Sequence, residues 1–109
     1  MNFDLFIITP TETLFEALYK IDENKKGFLL VVDENRHVIG TLTDGDIRRA
    51  FISGQNIKDM VGSAYNKTFN KVLFNDNFSK IIELFKSSRI NFIPIVDEKG
   101  ILKNIITKN

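Results

Sequence analysis

The chain contains an internal repeat, and this repeat constrains its fold more than any other feature. A shift of 64 positions aligns residues 28–34 with residues 92–98 without a gap, so that FLLVVDE lies on FIPIVDE. The same shift places Ile8 on Val72 and Thr43 on Thr107. Because a match of this length and register rarely arises by chance, we predict a tandem duplication of one supersecondary unit.

Each copy is predicted to fold as strand, helix, strand and strand. In the first copy, an apolar run at 5–8 ends at Thr9, and apolar residues then recur at helical spacing. Thr11 or Thr13 can cap this helix, and Gly27 follows it where positive φ is needed. Strands at 28–32 and 38–43 are separated by turn residues, and a short helix begins near Asp46. The helical set of the second copy is Phe78, Ile81, Ile82 and Phe85.

The predicted fold class is therefore α+β. Two βαββ repeats are expected to be related by a pseudo-two-fold axis, since each alone has too little core and their small sheets can pack together between flanking helices. We assign residues 1–54 to the first repeat, 55–70 to a linker and 71–109 to a C-terminally truncated second repeat. A cleft between the repeats is the expected ligand site.

Composition removes several function classes. Fifteen Lys and Arg balance fourteen Asp and Glu, so no strong field favours nucleic acid or an anionic membrane. The chain has no Cys and one His, which leaves no Cys-ligated metal, thiol nucleophile or multi-histidine site. No apolar run spans a bilayer and no secretory signal is present, so a cytoplasmic domain without metal or cofactor is expected.

The segment GTLTDGDIRR at 40–49 carries the most distinctive chemistry of the chain. A strand is predicted to pass into a helix here, and the N–H groups at a helix N-terminus favour an anion. The Thr43 hydroxyl can bind a phosphate oxygen, Asp46 can accept from a ribose diol, and Arg48 or Arg49 can pair with phosphate. The alternative is that Asp44 or Asp46 only caps the helix and the arginines are solvated.

The duplicated plan, the VVDE and IPIVDE strands and this segment resemble a tandem pair of cystathionine-β-synthase (CBS) domains, the Bateman module. The resemblance covers almost the whole chain, and the family's G-x-x-[ST]-x-x-D motif is complete in Gly40, Thr43 and Asp46. It implies a regulatory module rather than an enzyme. Such modules bind an adenosine ligand (AMP, ADP, ATP or S-adenosylmethionine) and regulate a linked domain.

The resemblance also implies individual roles. Asp46 would bind ribose hydroxyls and Thr43 would contact phosphate, with Asp44 and Arg49 beside them. The base would lie between residues of the second repeat, which the motif places at Val72, Leu73, Ile90, Asn91 and Phe92. Core packing is the alternative role for the apolar members of this set. The Asn91 amide can read a purine edge, or it can hold the turn.

The second repeat departs from the motif. Asn104 stands where the first repeat has Gly40, and the chain ends at Asn109, one residue before the counterpart of Asp46. We therefore expect at most one well-formed nucleotide site and favour excision from a longer protein. The other cleft would combine Ile7, Ile8, Gly27 and Phe28 with an unfinished loop.

The string TDGDIRR near the N-terminus also resembles the CBS pair that precedes sugar-phosphate nucleotidyltransferase domains, and a similar string occurs in arabinose-5-phosphate isomerases. We expect the former as the attached catalytic domain. A ligand-free assembly module is the competing function, because CBS pairs commonly dimerise through helix faces. Surplus apolar residues such as Phe15 suit a homodimer surface.

Overall fold

Two three-stranded sheets, one from each repeat, form the centre of the computed structural model, which describes residues 3–108. The first repeat consists of β1 (Ile7–Ile8), α1 (Leu14–Asn24), β2 (Phe28–Val32), β3 (Val38–Thr43) and α2 (Asp44–Ile52). The second consists of β4 (Val72–Leu73), α3 (Phe78–Phe85), β5 (Phe92–Val96) and β6 (Leu102–Thr107). The predicted α+β class and the βαββ order of both repeats are confirmed.

The two sheets have the same strand order and the same register. In each, the short first strand is parallel to the central strand, and the third strand is antiparallel to it. Ile8 pairs with Val31 in the first sheet, and Val72 pairs with Ile95 in the second. Both sheets also have a register shift one residue before the end of the central strand. The shift of 64 found in the sequence is therefore also the shift of the backbone pairing.

Equivalent residues meet where the repeats join, as a pseudo-two-fold axis requires. The rings of Phe28 and Phe92 stack with centroids 3.9 Å apart and planes 4° from parallel. These phenylalanines begin the central strand of each sheet, so the stack ties the two repeats together at one end of the interface. Aromatic side chains bury a large apolar area, so this contact stabilises the joining of the repeats.

The opposite end of the interface is held by backbone hydrogen bonds that obey the same symmetry. The Val38 N–H donates to the Gly100 carbonyl at 3.0 Å, and the Leu102 N–H donates to the Arg36 carbonyl at 3.2 Å. Arg36 and Gly100 are equivalent positions and both have positive φ, 70° and 87°. Only the second repeat has glycine at this left-handed position, where a side chain is strained.

The Asp-containing turns before β3 and β6 are also equivalent. The Asp97 carboxylate accepts from the backbone N–H of Ile101, and this hydrogen bond holds the pKa of Asp97 below its ordinary value, with desolvation opposing it. Desolvation likewise opposes ionisation of Asp33, but the backbone hydrogen bond from His37 and further donors outweigh it and lower the pKa. Both turns are thus stabilised by a charged acceptor.

Among residues 3–108, the buried apolar side chains form three clusters. The second cluster contains residues of both sheets and joins them: Ile7, Leu30, Val32, Val38, Val96 and Leu102. The central strand of the first sheet, β2, is buried over its whole length. Both faces of this strand are therefore covered. The first and largest cluster lies between sheet and helices in repeat one: Ile8, Leu14, Ala17, Ile21, Leu29, Val31, Leu42, Ile47, Ala50 and Val61. The corresponding cluster of repeat two contains only Val72, Ile81, Ile93 and Ile95.

Three local predictions differ from the structure. The run at 5–8 is only partly extended, because Asp4–Phe6 form a 3-10 turn closed by the hydrogen bond from the Phe6 N–H to the Phe3 carbonyl. Helix α1 ends at Asn24 and is capped by Lys25, which takes the left-handed conformation (φ 59°), although Gly27 two residues later also has the predicted positive φ (78°). Helix α2 begins at Asp44 rather than near Asp46, since Thr43 supplies its cap.

Much of the segment assigned as a linker packs on the first repeat. Val61 is fully buried in the first cluster, and its N–H donates to the Glu12 carbonyl at 2.8 Å. The Leu14 N–H donates to the Asp59 carbonyl at 2.9 Å. This segment therefore covers the start of α1. Across residues 3–108, no helix has the length and apolar character that crossing a bilayer requires.

Candidate functional site

The junction of β3 and α2 is organised by a reciprocal capping box. The Asp46 N–H donates to the Thr43 hydroxyl at 3.2 Å, and the Thr43 N–H donates to Asp46 Oδ2 at 3.0 Å. Arg49 Nη2 donates to Asp46 Oδ1 at 2.8 Å. The capping role that the sequence left open is thus present. A carboxylate offers roughly four acceptor sites, so this one retains capacity for a ligand.

This junction forms one wall of a cavity of about 760 Å³. Its other walls come from the segment 66–70 and from the approach to β5 in the second repeat. The volume lies within the range of about 300–1,000 Å³ that is usual for small-molecule sites. We call this cavity the main cleft. Its lining residues are Thr41, Thr43, Asp46, Arg49, Asn66, Thr68, Phe69, Asn70, Arg89, Ile90, Asn91 and Phe92.

Six of the nine residues singled out from the sequence line the main cleft. They are Thr43, Asp46, Arg49, Ile90, Asn91 and Phe92. They come from opposite repeats, and the end of β3 in one repeat faces the start of β5 in the other across the cleft. The sequence placed this cleft correctly between the repeats, although the roles of its individual residues remain predictions.

The other three residues lie elsewhere. Val72 is buried in the core of repeat two, because its pairing with Ile95 turns its side chain toward α3. Leu73 follows it on β4, is 39% exposed and does not line the cleft. Asp44 lines a separate open depression of about 690 Å³ between α1 and α2.

Six residues of the lining were missed by sequence reasoning: Thr41, Asn66, Thr68, Phe69, Asn70 and Arg89. Most of them lie in the segment taken as a linker, which is fixed by backbone hydrogen bonds of 2.9 and 2.8 Å between Thr41 and Asn66. Gly40 permits this approach, since a Cβ there would lie 2.3 Å from the Tyr65 ring. Arg89 was detectable, because it directly precedes the predicted contact Ile90.

The main cleft combines three kinds of chemistry. Arg49 and Arg89 face it from different repeats and offer guanidinium groups to an anion. Asp46 offers a carboxylate to hydroxyl groups, and Phe92, whose ring stacks on Phe28, adds apolar surface to the lining. Groups of these three kinds can bind, respectively, the phosphate, the sugar and the base of a nucleotide. Among residues 3–108, no three acidic or histidine side chains converge to hold a metal ion.

The pseudo-symmetry-related cleft is smaller, about 200 Å³, and differently lined. Lys25, Lys26, Phe28, Asn91 and Thr107 surround it. Of the four residues expected there, Phe28 lines it, Ile7 and Ile8 are buried in the core, and Gly27 lines the depression beside Asp44. Asn91 lies between the two clefts and contributes to both. The volume of this second cleft is below that usual for a nucleotide-sized ligand.

Two βαββ repeats about a pseudo-two-fold axis, with a polar cleft between them, define a class of paired-repeat ligand-binding modules. The family model for the CBS domain matches residues 1–53 and again residues 61–109. The chain belongs to the CBS domain family, whose members are regulatory modules rather than catalytic ones.

Similar proteins carry such a pair in different settings. An arabinose 5-phosphate isomerase, GutQ of Escherichia coli, is 27% identical over 91% of this chain. The inosine-5'-monophosphate dehydrogenase of Halalkalibacterium halodurans is 29% identical over 94% of it. The chain spans 31% of the isomerase, 20% of the dehydrogenase and 30% of a similar Helicobacter pylori protein. It therefore corresponds to a part of each.

The structure of CBSX2 in complex with AMP superposes with a TM-score of 0.80 and 25% identity, covering 96% of this chain and 82% of that one. A second AMP complex, of the CBS domain protein PAE2072 from Pyrobaculum aerophilum, has the same fold at 17% identity and a TM-score of 0.78, covering 94% of this chain and 79% of that one. CBS pairs of this fold thus bind AMP.

Proposed function

We propose that this chain is a regulatory module that binds an adenosine nucleotide in the main cleft and modulates an attached domain. One observation carries the proposal: a nucleotide-sized cavity between the repeats is lined by Thr43, Asp46 and two guanidinium groups. AMP, ADP and ATP are the preferred ligands. S-adenosylmethionine also has the ribose and base, but its sulfonium is disfavoured by Arg49 and Arg89.

In the proposed complex, Asp46 accepts hydrogen bonds from the ribose hydroxyls. Arg49 exchanges its present bond to that carboxylate for the phosphate, and Thr43 donates its hydroxyl to a phosphate oxygen. The base lies against Phe92, and the Asn91 amide meets its edge. Ribose and phosphate contacts do not distinguish purines, so this last contact is what selects adenine.

The proposed signal is a change in the relative position of the repeats. A ligand held by Asp46 of one repeat and Phe92 of the other gains affinity only where both contacts are made. Phe92 is also one ring of the stack on the pseudo-two-fold axis. Binding therefore favours one arrangement of the repeats, and this arrangement changes the affinity of the attached domain for its own ligand. By linkage, binding of that ligand changes the affinity of the module for the nucleotide by the same factor.

We further propose that the attached domain acts on phosphorylated sugars or nucleotides, and specifically that it is a sugar-phosphate nucleotidyltransferase. An isomerase of a sugar phosphate and a nucleotide dehydrogenase are among the similar proteins, which supports the general class. A cytoplasmic location belongs to the same proposal, because its ligand and the substrates of that domain are cytoplasmic metabolites.

A second candidate function is homodimeric assembly without a ligand. Phe15 and Tyr19 lie one turn apart on α1, and both are more than half exposed. Apolar side chains at this spacing favour a dimer surface. Sedimentation of Phe15→Lys tests this candidate, because assembly through α1 predicts a shift from dimer to monomer.

The test of nucleotide binding uses calorimetric titration and thermal shift with AMP, ADP, ATP, S-adenosylmethionine and GTP. A ligand at a hundred times its Kd adds about 2.7 kcal/mol, a rise in Tm of roughly 12 °C for a domain of this size. Asp46→Ala is expected to abolish the rise for the adenosine nucleotide.

Glu16→Ala is the matched control, since Glu16 holds the equivalent place in the capping box of α1, where it pairs with Thr13. Both variants lose a cap, but only Asp46→Ala loses the ligand. Equal binding by both variants, or no binding by the folded wild-type protein, contradicts the proposal and leaves assembly as the function.

A further inference from the structure

The Asp46 carboxylate already has a hydrogen-bond donor on each of its oxygens. Oδ2 accepts from the Thr43 N–H at 3.0 Å, and Oδ1 accepts from Arg49 Nη2 at 2.8 Å. Only 17% of the Asp46 side chain is exposed, although this residue lines the main cleft. A ribose diol that donates to both carboxylate oxygens must therefore displace one of the two donors.

The two donors differ in how easily they can leave. The Thr43 N–H belongs to the backbone at the end of β3, where the capping box holds it in place. The Arg49 side chain is 67% exposed, and in the described part of the chain (residues 3–108) its guanidinium has no ion pair besides that with Asp46. An exposed ion pair is weak, because water solvates the freed guanidinium. Arg49 is therefore the donor that a ribose displaces.

The position of the Arg49 guanidinium beside Asp46 depends on Gly45. A Cβ at position 45 would lie 3.2 Å from Arg49 Nη1 and 3.3 Å from Arg49 Nη2, which is closer than an ordinary van der Waals contact. Gly45 is not among the glycines with positive φ, so the backbone does not require glycine here, and glycine is a poor helix former. What this glycine provides is room for the guanidinium against the first turn of α2.

The Arg49 side chain also has a second place to go. A depression of about 330 Å³ adjoins the main cleft, because Asp46 and Arg49 line both. Its wall includes the polar side chains of Ser53, Gln55 and Ser63. The guanidinium therefore lies between the depression and the main cleft, and it can turn away from Asp46 toward either of them.

We propose that Arg49 is an internal competitor for Asp46, which makes the site select phosphorylated nucleosides over unphosphorylated ones, and that Gly45 is the positioning residue for this contact. The inference rests on the proposed function. A nucleotide offers its phosphate to the displaced guanidinium, so a new ion pair replaces the old one. A nucleoside offers the same ribose diol without a phosphate, so the ion pair is lost without replacement.

This exchange has a consequence that a simple phosphate contact lacks. Arg89 also lines the main cleft, but within residues 3–108 its guanidinium has no ion pair with a carboxylate. An arginine that only binds phosphate contributes nothing to the binding of a nucleoside, whereas one that occupies Asp46 opposes it. Removal of Arg49 is therefore expected to change the affinities for nucleoside and nucleotide in opposite directions.

The test is titration of the protein with AMP, followed by calorimetry, and with adenosine, followed by NMR. Arg49→Ala is expected to strengthen adenosine binding about two- to fivefold, the value of an exposed ion pair, and to weaken AMP binding about tenfold. Arg89→Ala is expected to weaken AMP binding without strengthening adenosine binding. Arg48→Ala is the matched control for charge, with wild-type affinity for both ligands, since Arg48 is exposed on the same helix and lines neither cavity.

Gly45→Ala tests the positioning role without removing any side chain. The added methyl group crowds the guanidinium beside Asp46, so adenosine binding is expected to strengthen, in the same direction as in Arg49→Ala. AMP binding is expected to persist, because the arginine is still present to meet the phosphate. In the Arg49→Ala background, Gly45→Ala is expected to add nothing to the affinity for adenosine, since the two substitutions act on one contact.

Two results overturn the proposal while leaving nucleotide binding intact. In the first, Arg49→Ala binds AMP more weakly but adenosine no more tightly than the wild-type protein does, which makes Arg49 a phosphate contact only. In the second, Gly45→Ala leaves adenosine binding unchanged, or strengthens it equally when Arg49 is absent, which rejects the positioning role. A folded wild-type protein that binds no AMP rejects the proposed function itself, and this inference with it.

Discussion

The unequal covering of the equivalent helices α1 and α3 predicts unequal effects of equivalent substitutions. Leu14→Ala removes a fully buried side chain from the first core cluster. Phe78→Ala removes a larger side chain at the equivalent position of α3, but 65% of that residue is exposed. The smaller deletion is therefore expected to be the more damaging one.

The magnitudes follow from burial. A buried Leu→Ala change leaves a cavity and costs about 3 kcal/mol. Phe78 buries roughly a third of its surface, about 70 Å², which is worth about 1.7 kcal/mol at about 25 cal/mol per Å². Alanine regains about 0.5 kcal/mol in helix propensity, so the net loss is about 1.2 kcal/mol. With an unfolding entropy of about 2.1 cal/mol/K per residue, the expected decreases in Tm are roughly 13 °C for Leu14→Ala and roughly 5 °C for Phe78→Ala.

Urea unfolding followed by far-ultraviolet circular dichroism measures both losses, with calorimetry for Tm. The two variants must unfold with the wild-type m-value if the comparison is to report folded-state packing. A loss for Phe78→Ala equal to or greater than that for Leu14→Ala refutes the reasoning, because it requires Phe78 to be buried in solution.

Three further predictions concern single contacts. Thr13→Ala removes the cap of α1 and is expected to cost about 1 kcal/mol, and calorimetry showing no decrease in Tm would count against the capping box. Gly40→Ala places a Cβ 2.3 Å from the Tyr65 ring and 2.6 Å from a carbonyl oxygen, so urea unfolding should show a loss of about 1–3 kcal/mol, and wild-type stability would mean that the close approach is absent. Because hydrogen bonding to a backbone N–H depresses the pKa of Asp97 in the folded state, its stabilising effect is present above pH 3.8 and is lost as the pH falls through the lower folded value. Asp97→Asn should flatten the acid side of the stability profile between about pH 5 and pH 2, and an unchanged profile would contradict this assignment.

The sequence predicted the paired repeats because their signals are local and occur twice. Three such signals are the apolar run of β2, the turn at Asp33 and the pairing of β2 with β3, and each depends on neighbouring residues. All three recur 64 positions later, and this recurrence determined the alignment of the repeats. Thr43 and Asp46 were identifiable from the local sequence alone, because both belong to the segment GTLTDGDIRR. That these residues face the other repeat followed from the pseudo-symmetry.

The remaining lining residues depend on tertiary contacts that have no sequence period. Phe69 reaches the main cleft because the preceding segment bonds to Thr41, and this pairing requires glycine at position 40. Val72 was misplaced because a two-residue strand gives no alternation from which its inward face could be read. In an extended strand, a shift of one residue exchanges the two faces, and here Val72 faces the core while Leu73 does not.

The same local motif serves two different purposes in this chain, and its surroundings decide which. Helices α1 and α2 both begin with a Thr whose capping box is completed by an acidic residue three positions later. In α1, Glu16 lies on the exposed surface, and its carboxylate accepts hydrogen bonds from Thr13 within the capping box. In α2, Asp46 also pairs with Arg49 and faces a second repeat across a cavity. On the proposed function, a ribose competes with Arg49 for Asp46, so ligand binding acts on the start of α2. Ile47 and Ala50 of α2 are part of the first core cluster. A movement of the start of α2 on ligand binding would therefore change the packing of the core of the first repeat.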